Sequence, residues 1–302
     1  MAHPHHDDAA HPHAGAPRAH DHDTAEFESE GADLLDLDAQ VLHDYWDTAL
    51  DLVTAAASAA PGGDGRAPVR VVDLGAGTGT GALGLARRLP GAEVVAVDLS
   101  ELSLARVGTK ARAAGLGDRV RTLVADLDAG WPDLTPVDLT WASMSLHHLA
   151  DPARSLSELR RLTRPGGLVA VAEFDEPLRF LPEDLGTGRP GFETRALGAL
   201  SEVHAESLPA LGASWAAILA DEGWTVTGQH DLVIDEHPPE HPLAGRYARG
   251  WFDQLSHGLA ERLDDGDRHT LAALLDDDGP QALLRRTDLH LRGLRTVTVA
   301  RA

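Results

Sequence analysis

Cysteine is absent from this 302-residue chain. A disulfide framework, a thiolate metal site and a cysteine nucleophile are therefore closed to it. Positive charge is scarce: 26 Lys and Arg face 48 Asp and Glu, for a formal charge of −22, and Lys110 is the only lysine. Gripping DNA or RNA takes a basic face, because phosphate neutralisation supplies most of the affinity. Nucleic acid is thus not an expected partner. The acids are spread along the chain, with peaks at Asp21–Glu30 and Asp264–Asp278, and read as a solvated surface. Also missing is any apolar stretch near the ~20 residues that cross a bilayer. The first residues are His-rich, unlike a signal peptide. No membrane partner is expected, and the cytoplasm is the expected compartment. The length allows one large domain or two small ones.

Residues 1–24 hold seven histidines among Pro, Ala and Asp, without apolar periodicity. Such a segment buries too little to offset its ordering entropy and is expected to be disordered. His3, His5, His6, His20 and His22 have metal affinity of the adventitious kind, and no metal site is expected. Residues 25–60 turn helical in pattern, with Leu34, Leu35, Leu37, Val41, Leu42, Tyr45, Trp46, Leu50, Leu52 and Val53 at helical spacing. Tyr45 and Trp46 could cap a bound ligand, but aromatics at such spacing are usually core, so at least Trp46 is expected inside. The stretch Pro61–Gly65 reads as a linker.

The densest information lies at Val71–Gly81. Val71-Val72-Asp73-Leu74 reads as a buried parallel strand ending in a glycine turn, with glycines at 75, 77, 79 and 81. Glycine after a strand lets the backbone turn sharply and approach a ligand. A helix from Ala82 to Leu89 follows. Strand, glycine turn and helix N-terminus form a nucleotide-type cofactor cradle. Gly77, Gly79 and Ala82 satisfy the dinucleotide spacing G-x-G-x-x-A, so an NAD(P)-dependent oxidoreductase is formally allowed. A carboxylate just before the first glycine has no task beside two phosphates, but has one beside a cationic amino-acid ligand. Asp73 stands there.

The pattern Asp73-x-Gly75-x-Gly77-x-Gly79 resembles motif I of the class I S-adenosylmethionine (SAM)-dependent methyltransferases. Further fragments agree in order. The strand Glu93–Val97 ends in Asp98, where an acid is expected to take ribose hydroxyls. A third strand, Val120–Val124, leads to Ala125-Asp126-Leu127, similar to the methyltransferase acid that receives the adenine amino group. A fourth strand, near Leu139–Ser143, runs into Leu146-His147-His148. A helix over Ser155–Leu162 then meets Arg164-Pro165-Gly166-Gly167, read as a helix stop with a glycine C-cap. A fifth strand, Leu168–Phe174, carries Glu173. This ordered set is similar to the ubiquinone/menaquinone-biosynthesis-like, small-molecule branch of the family.

The resemblance implies an α/β, Rossmann-like fold over residues 66–302. It has a seven-stranded, mostly parallel sheet with helices on both faces and an antiparallel last strand beside the fifth. Residues 175–210 are expected to be loop with short helices, Trp215–Asp221 a helix, and Trp224–Ile234 and Leu289–Ala300 strands. Helical stretches at Leu243–Leu263 and His269–Leu284 would form an insertion. That insertion (237–287), the segment 175–215 and the N-terminal helices would roof a small-molecule substrate pocket. The cofactor implied is SAM, held by Asp73, Gly75, Gly77, Gly79, Asp98, Leu99, Asp126, Leu127 and Ser143. A non-catalytic SAM-binding protein would also fit those residues. The implied reaction is methyl transfer, more naturally to oxygen. His147 and Glu173 are the candidate base and its orienting partner, standing at adjacent strand ends where ligands of open α/β sheets lie.

Overall fold

The computed structural model describes residues 19–59, 69–134, 136–208, 210–237, 241–259 and 261–302. Its centre follows from the Val-rich runs. β1 (Arg70–Leu74), β2 (Glu93–Asp98) and β4 (Val137–Ser143) are buried on both faces, as apolar strands must be when helices cover both sides. With β3 (Val120–Val124), β5 (Thr163–Arg179), β6 (Thr225–Glu236) and β7 (Leu291–Arg301) they form one seven-stranded sheet, order β3-β2-β1-β4-β5-β7-β6. Neighbours from β3 to β5 pair in parallel, and β7 runs antiparallel between β5 and β6. The expected antiparallel last strand beside the fifth is found.

Alternation along the strands divides the core. Val71, Val94, Ala96 and Trp141 face α2 (His43–Ser58), α3 (Thr80–Arg88) and α4 (Glu101–Ala113). Val72, Val95, Val97 and Val171 face α5 (Pro152–Leu162) and α7 (Trp215–Asp221). Each fully buried Val or Leu contributes roughly 2 kcal/mol. Local chemistry starts the crossover helices: Ser100 accepts from Ser103 N before α4, and Asp151 accepts from Arg154 N before α5, where Pro152 opens the helix. Outside this frame lie α1 (Ala19–Val41), α6 (Phe192–Ser207), α8 (Ala244–Leu259) and α9 (Asp265–Leu275).

Several expectations are corrected. α1 runs through Ala19–Thr24, part of the stretch expected to be disordered; residues 1–18 and the linker Pro61–Gly65 lie outside the described residues. The segment 175–210 is not mainly loop. β5 continues to Arg179 past Pro177, with register shifts between Phe174 and Glu176 and again before Arg179, which is where a sheet tolerates proline. α6 then fills 16 residues after Pro190. α5 ends at Leu162 with Thr163 extended as its cap, so the positive φ of Gly166 (77°) falls within β5 and is not a helix C-cap. α9 begins earlier than expected because Asp264 caps it, accepting from Asp267 N. It stops at Leu275, before the Asp-rich turn into Pro280.

Candidate active site

β1 delivers Asp73 and Leu74 to the carboxyl edge of the sheet, and the chain turns there through Gly75, Gly77 and Gly79, all at positive φ. A Cβ on Gly75 would stand 2.3 Å from Ser145 Cβ, so only glycine lets this turn lie against the loop after β4. Ser145 Oγ donates to Leu74 O at 2.8 Å and ties the two loops together. Asp98, at the end of β2, accepts from Gly77 N at 2.7 Å and from Ser100 N at 2.9 Å. Asp126, after β3, accepts from Asp128 N and Ala129 N at 3.0 and 3.3 Å. These acids therefore shape their own turns.

The strand ends enclose a cavity of about 550 Å³. Asp73, Gly75, Gly77, Asp98, Leu99, Asp126, Leu127 and Ser143 all line it. Gly79 does not: it caps α3 at φ 91°, and a Cβ there would stand 2.9 Å from Val107 Cγ2 of α4. Its place is a helix contact, while the role in cofactor binding comes from the motif it belongs to. The wall also includes residues the motifs did not name: Leu35 and Asp38 from α1, Trp46 from α2, Trp141 from β4, His148 and Arg295 of β7. Trp46 is thus half-buried on the cavity wall, while Tyr45 packs inside, with the Arg295 guanidinium 4.5 Å from its ring centre.

Of the four buried polar atoms on this wall without a hydrogen-bond partner, which include Thr78 Oγ1 and Ser143 Oγ, Asp73 Oδ2 and Trp141 Nε1 stand together. They lie 2.8 and 2.6 Å from the point a Cβ on Gly81 would occupy, so glycine leaves open the space they share. Burial pushes the Asp73 carboxyl up to about 7, the Ala82 backbone N–H bond opposing and the Asp98 charge adding. Unpaired groups of this kind are costly unless a ligand completes them. A ligand end carrying both an ammonium and a carboxylate has that chemistry: the cation suits Asp73 and the anion suits the indole N–H.

His147 and Glu173 meet as the sequence suggested, Nδ1 to Oε2 at 2.6 Å, both buried. His147 sits in the 3-10 turn Leu146–His148, and Glu173 at the β5 position after Ala172. His147 is absent from the cavity wall. His148 is on it, stacked on His147 with ring centres 4.2 Å apart. Burial, with His147 and His204 nearby, lowers His148 to about 4, so its ring is neutral at pH 7.

Arg295, Asp38, Trp46 and Tyr247 form a buried cluster beside the cavity. Arg295 pairs with Asp38 at 2.6 Å, Tyr247 donates to the same carboxylate at 2.6 Å, and Trp46 Nε1 donates to its other oxygen at 2.8 Å. Desolvation raises the Asp38 carboxyl, but the Arg295 charge and these hydrogen bonds outweigh it and hold the carboxyl below its ordinary value. Four elements (α1, α2, α8 and β7) meet at this point. Nothing in the glycine motif signals it.

Among the described residues no group of His, Asp and Glu is arranged to hold a metal ion, and no helix is long and apolar enough to cross a membrane. A methyltransferase-domain family matches residues 71–167. The demethylmenaquinone methyltransferase of Thermus thermophilus is 42% identical over 113 residues, covering 37% of this chain and 50% of that one. The malonyl-acyl-carrier-protein O-methyltransferase of Halorhodospira halophila is 44% identical over 108 residues, 35% of each chain. The match thus spans half or less of these curated relatives. A candidate methyltransferase structure from Bacillus halodurans shares the fold, with a TM-score of 0.52 at 17% identity, covering 83% of this chain and 97% of that one.

Proposed function

We propose, for a chain that belongs to the class I SAM-dependent methyltransferases, that the 550 Å³ cavity holds SAM and that the protein methylates a small-molecule acceptor at oxygen. The observation that carries this is the unpaired Asp73 carboxylate oxygen beside the unpaired Trp141 N–H. A dinucleotide would set phosphates against that carboxylate, whereas the amino-acid end of SAM satisfies both atoms. Bound SAM supplies a methyl carbon activated by a sulfonium, whose sulfur keeps the electron pair of the broken bond.

The chain's own tasks are alignment, exclusion of water and removal of the acceptor's proton. Asp73 and Trp141 anchor the amino-acid end, and Ser143 adds a contact there. Gly75 and Gly77 allow close backbone approach. Asp98 receives the ribose hydroxyls, Leu99 packs on the adenine, and Asp126 with Leu127 meets its amino edge. Leu99 is 67% exposed, as suits a side chain that a ligand covers. His147 does not line the cavity, so the proton that an acceptor hydroxyl loses as its oxygen bonds the methyl carbon reaches it past His148, whose ring stacks on it and is part of the wall. Glu173 accepts from Nδ1–H and leaves Nε2 as the basic atom.

Calorimetric titration tests the donor site: Asp98→Ala should weaken SAM at least tenfold, and NADH should not bind. NADH binding without SAM binding would overturn the reading. Tritiated-methyl transfer over a metabolite panel tests the chemistry. There, His147→Ala should slow transfer by roughly 10²–10³ with SAM affinity unchanged. Glu173→Gln should lower the rate and shift its pH profile. An unchanged rate in both variants removes the dyad.

A further inference from the structure

A second cavity, about 360 Å³, adjoins the first; Met144 and Arg295 line both. Met144 is the one non-glycine residue at positive φ (53°) among those described. Such strain persists where surrounding structure fixes it, commonly at functional sites. The second cavity lies under α6 and α8 and is walled mainly by apolar side chains, among them Phe174, Leu200, Ile234 and Trp251.

Its charges are one-sided. Arg295 is the only arginine or lysine on its described wall, and that guanidinium is already paired with Asp38. Tyr247 directs its hydroxyl to the same carboxylate. His204 is held below its ordinary basicity by burial and by His147, so it adds no cation at neutral pH. Asp175 and Glu176 stand exposed at the rim. An anionic ligand would meet two carboxylates and no uncommitted positive charge, while an apolar body finds an aromatic and aliphatic wall.

We propose that this second cavity receives the methyl acceptor as an apolar molecule, neutral or cationic, and rejects acceptors that carry a carboxylate or phosphate. The proposal rests on the methyltransferase reading for the word acceptor, but its charge selection is measurable without any turnover.

Three probes share one cage and differ in charge: 1-adamantanol, 1-adamantylamine and 1-adamantanecarboxylate. Each is titrated calorimetrically into the intact chain without SAM, at low ionic strength. The alcohol and the amine should bind at least tenfold more tightly than the carboxylate. Leu200→Trp, which fills the cavity, should weaken the alcohol at least tenfold and leave SAM affinity unchanged. The rim variant Asp175→Asn with Glu176→Gln should bring the carboxylate to within about threefold of the alcohol. Equal or tighter binding of the carboxylate by the unmodified chain overturns the proposal, as does failure of all three probes to bind. SAM titrated separately keeps the readings apart. Binding of SAM with a preference for carboxylates refutes only the selection, and binding of adamantanol without SAM refutes only the donor site.

Discussion

Asp73 sits where its own charge is opposed. Its folded carboxyl binds a proton more tightly than the unfolded one, since burial pushes it up to about 7 from 3.8. The sign follows: the ligand-free protein loses stability as pH rises from about 4 to about 7, because the unfolded chain ionises first. Asp73→Asn removes that penalty, and the ligand-free form should gain between about 1 and 4 kcal/mol at pH 8. The same variant should bind SAM at least tenfold more weakly. Wild-type affinity should strengthen with pH up to about 7, where Asp73 ionises, and the variant's should stay flat. Thermal midpoints and calorimetry between pH 5.5 and 8.5 read both effects, and a variant midpoint no higher than wild type at pH 8 would count against the assignment. Asp73, Asp98, Asp126 and the His147–Glu173 pair were legible because each stands at a fixed offset from a strand end. Trp141 was not: in a buried strand an indole reads only as packing, and its unpaired N–H exists only beside the opening at Gly81.

Gly79 shows how an element can claim a residue that a motif assigns to a ligand. At its φ of 91°, a Cβ would stand only 2.9 Å from Val107 Cγ2, so glycine sets how closely α3 approaches α4. Gly79→Ala should cost about 2 kcal/mol from strain and overlap together. Adding Val107→Ala should recover the overlap part only, and a double-mutant cycle in urea separates the two. At this scale the sequence was a good guide wherever β-branched runs and caps agreed, as in β1 to β4 and α7. It failed over 175–210, where Pro177, Pro182 and Pro190 outweighed the apolar spacing of Phe192, Ala196, Leu197, Leu200 and Val203. All three prolines precede α6, and one lies at an irregularity within β5. Proline here marks where structure changes and does not deny it.

The whole molecule converges on the Asp38–Arg295 pair, which joins residues 257 positions apart. Arg295→Met should destabilise by roughly 3–5 kcal/mol, because it strands a buried carboxylate. Asp38→Asn combined with Arg295→Met should cost clearly less than that single change, as judged by urea midpoints. The folded Asp38 carboxyl titrates below 3.8, so the pair's contribution is present above that value and is lost as pH falls through the folded one. Such a contact was invisible beforehand, since no local pattern links an acid on a leading helix to an arginine on a closing strand.

β7 carries that arginine, and it also stands between β5 and β6. On the ribosome it is the last of the described strands to emerge. Until it does, the apolar edge of β5 stays open and β6 has no strand to pair with. The nascent chain therefore passes through a stage in which the glycine turn and its acids are already made while β6 and one edge of β5 wait unpaired. That interval is when this protein would depend most on chaperones, and weakening β7 should show first as poor yield during synthesis, before any loss in the finished protein.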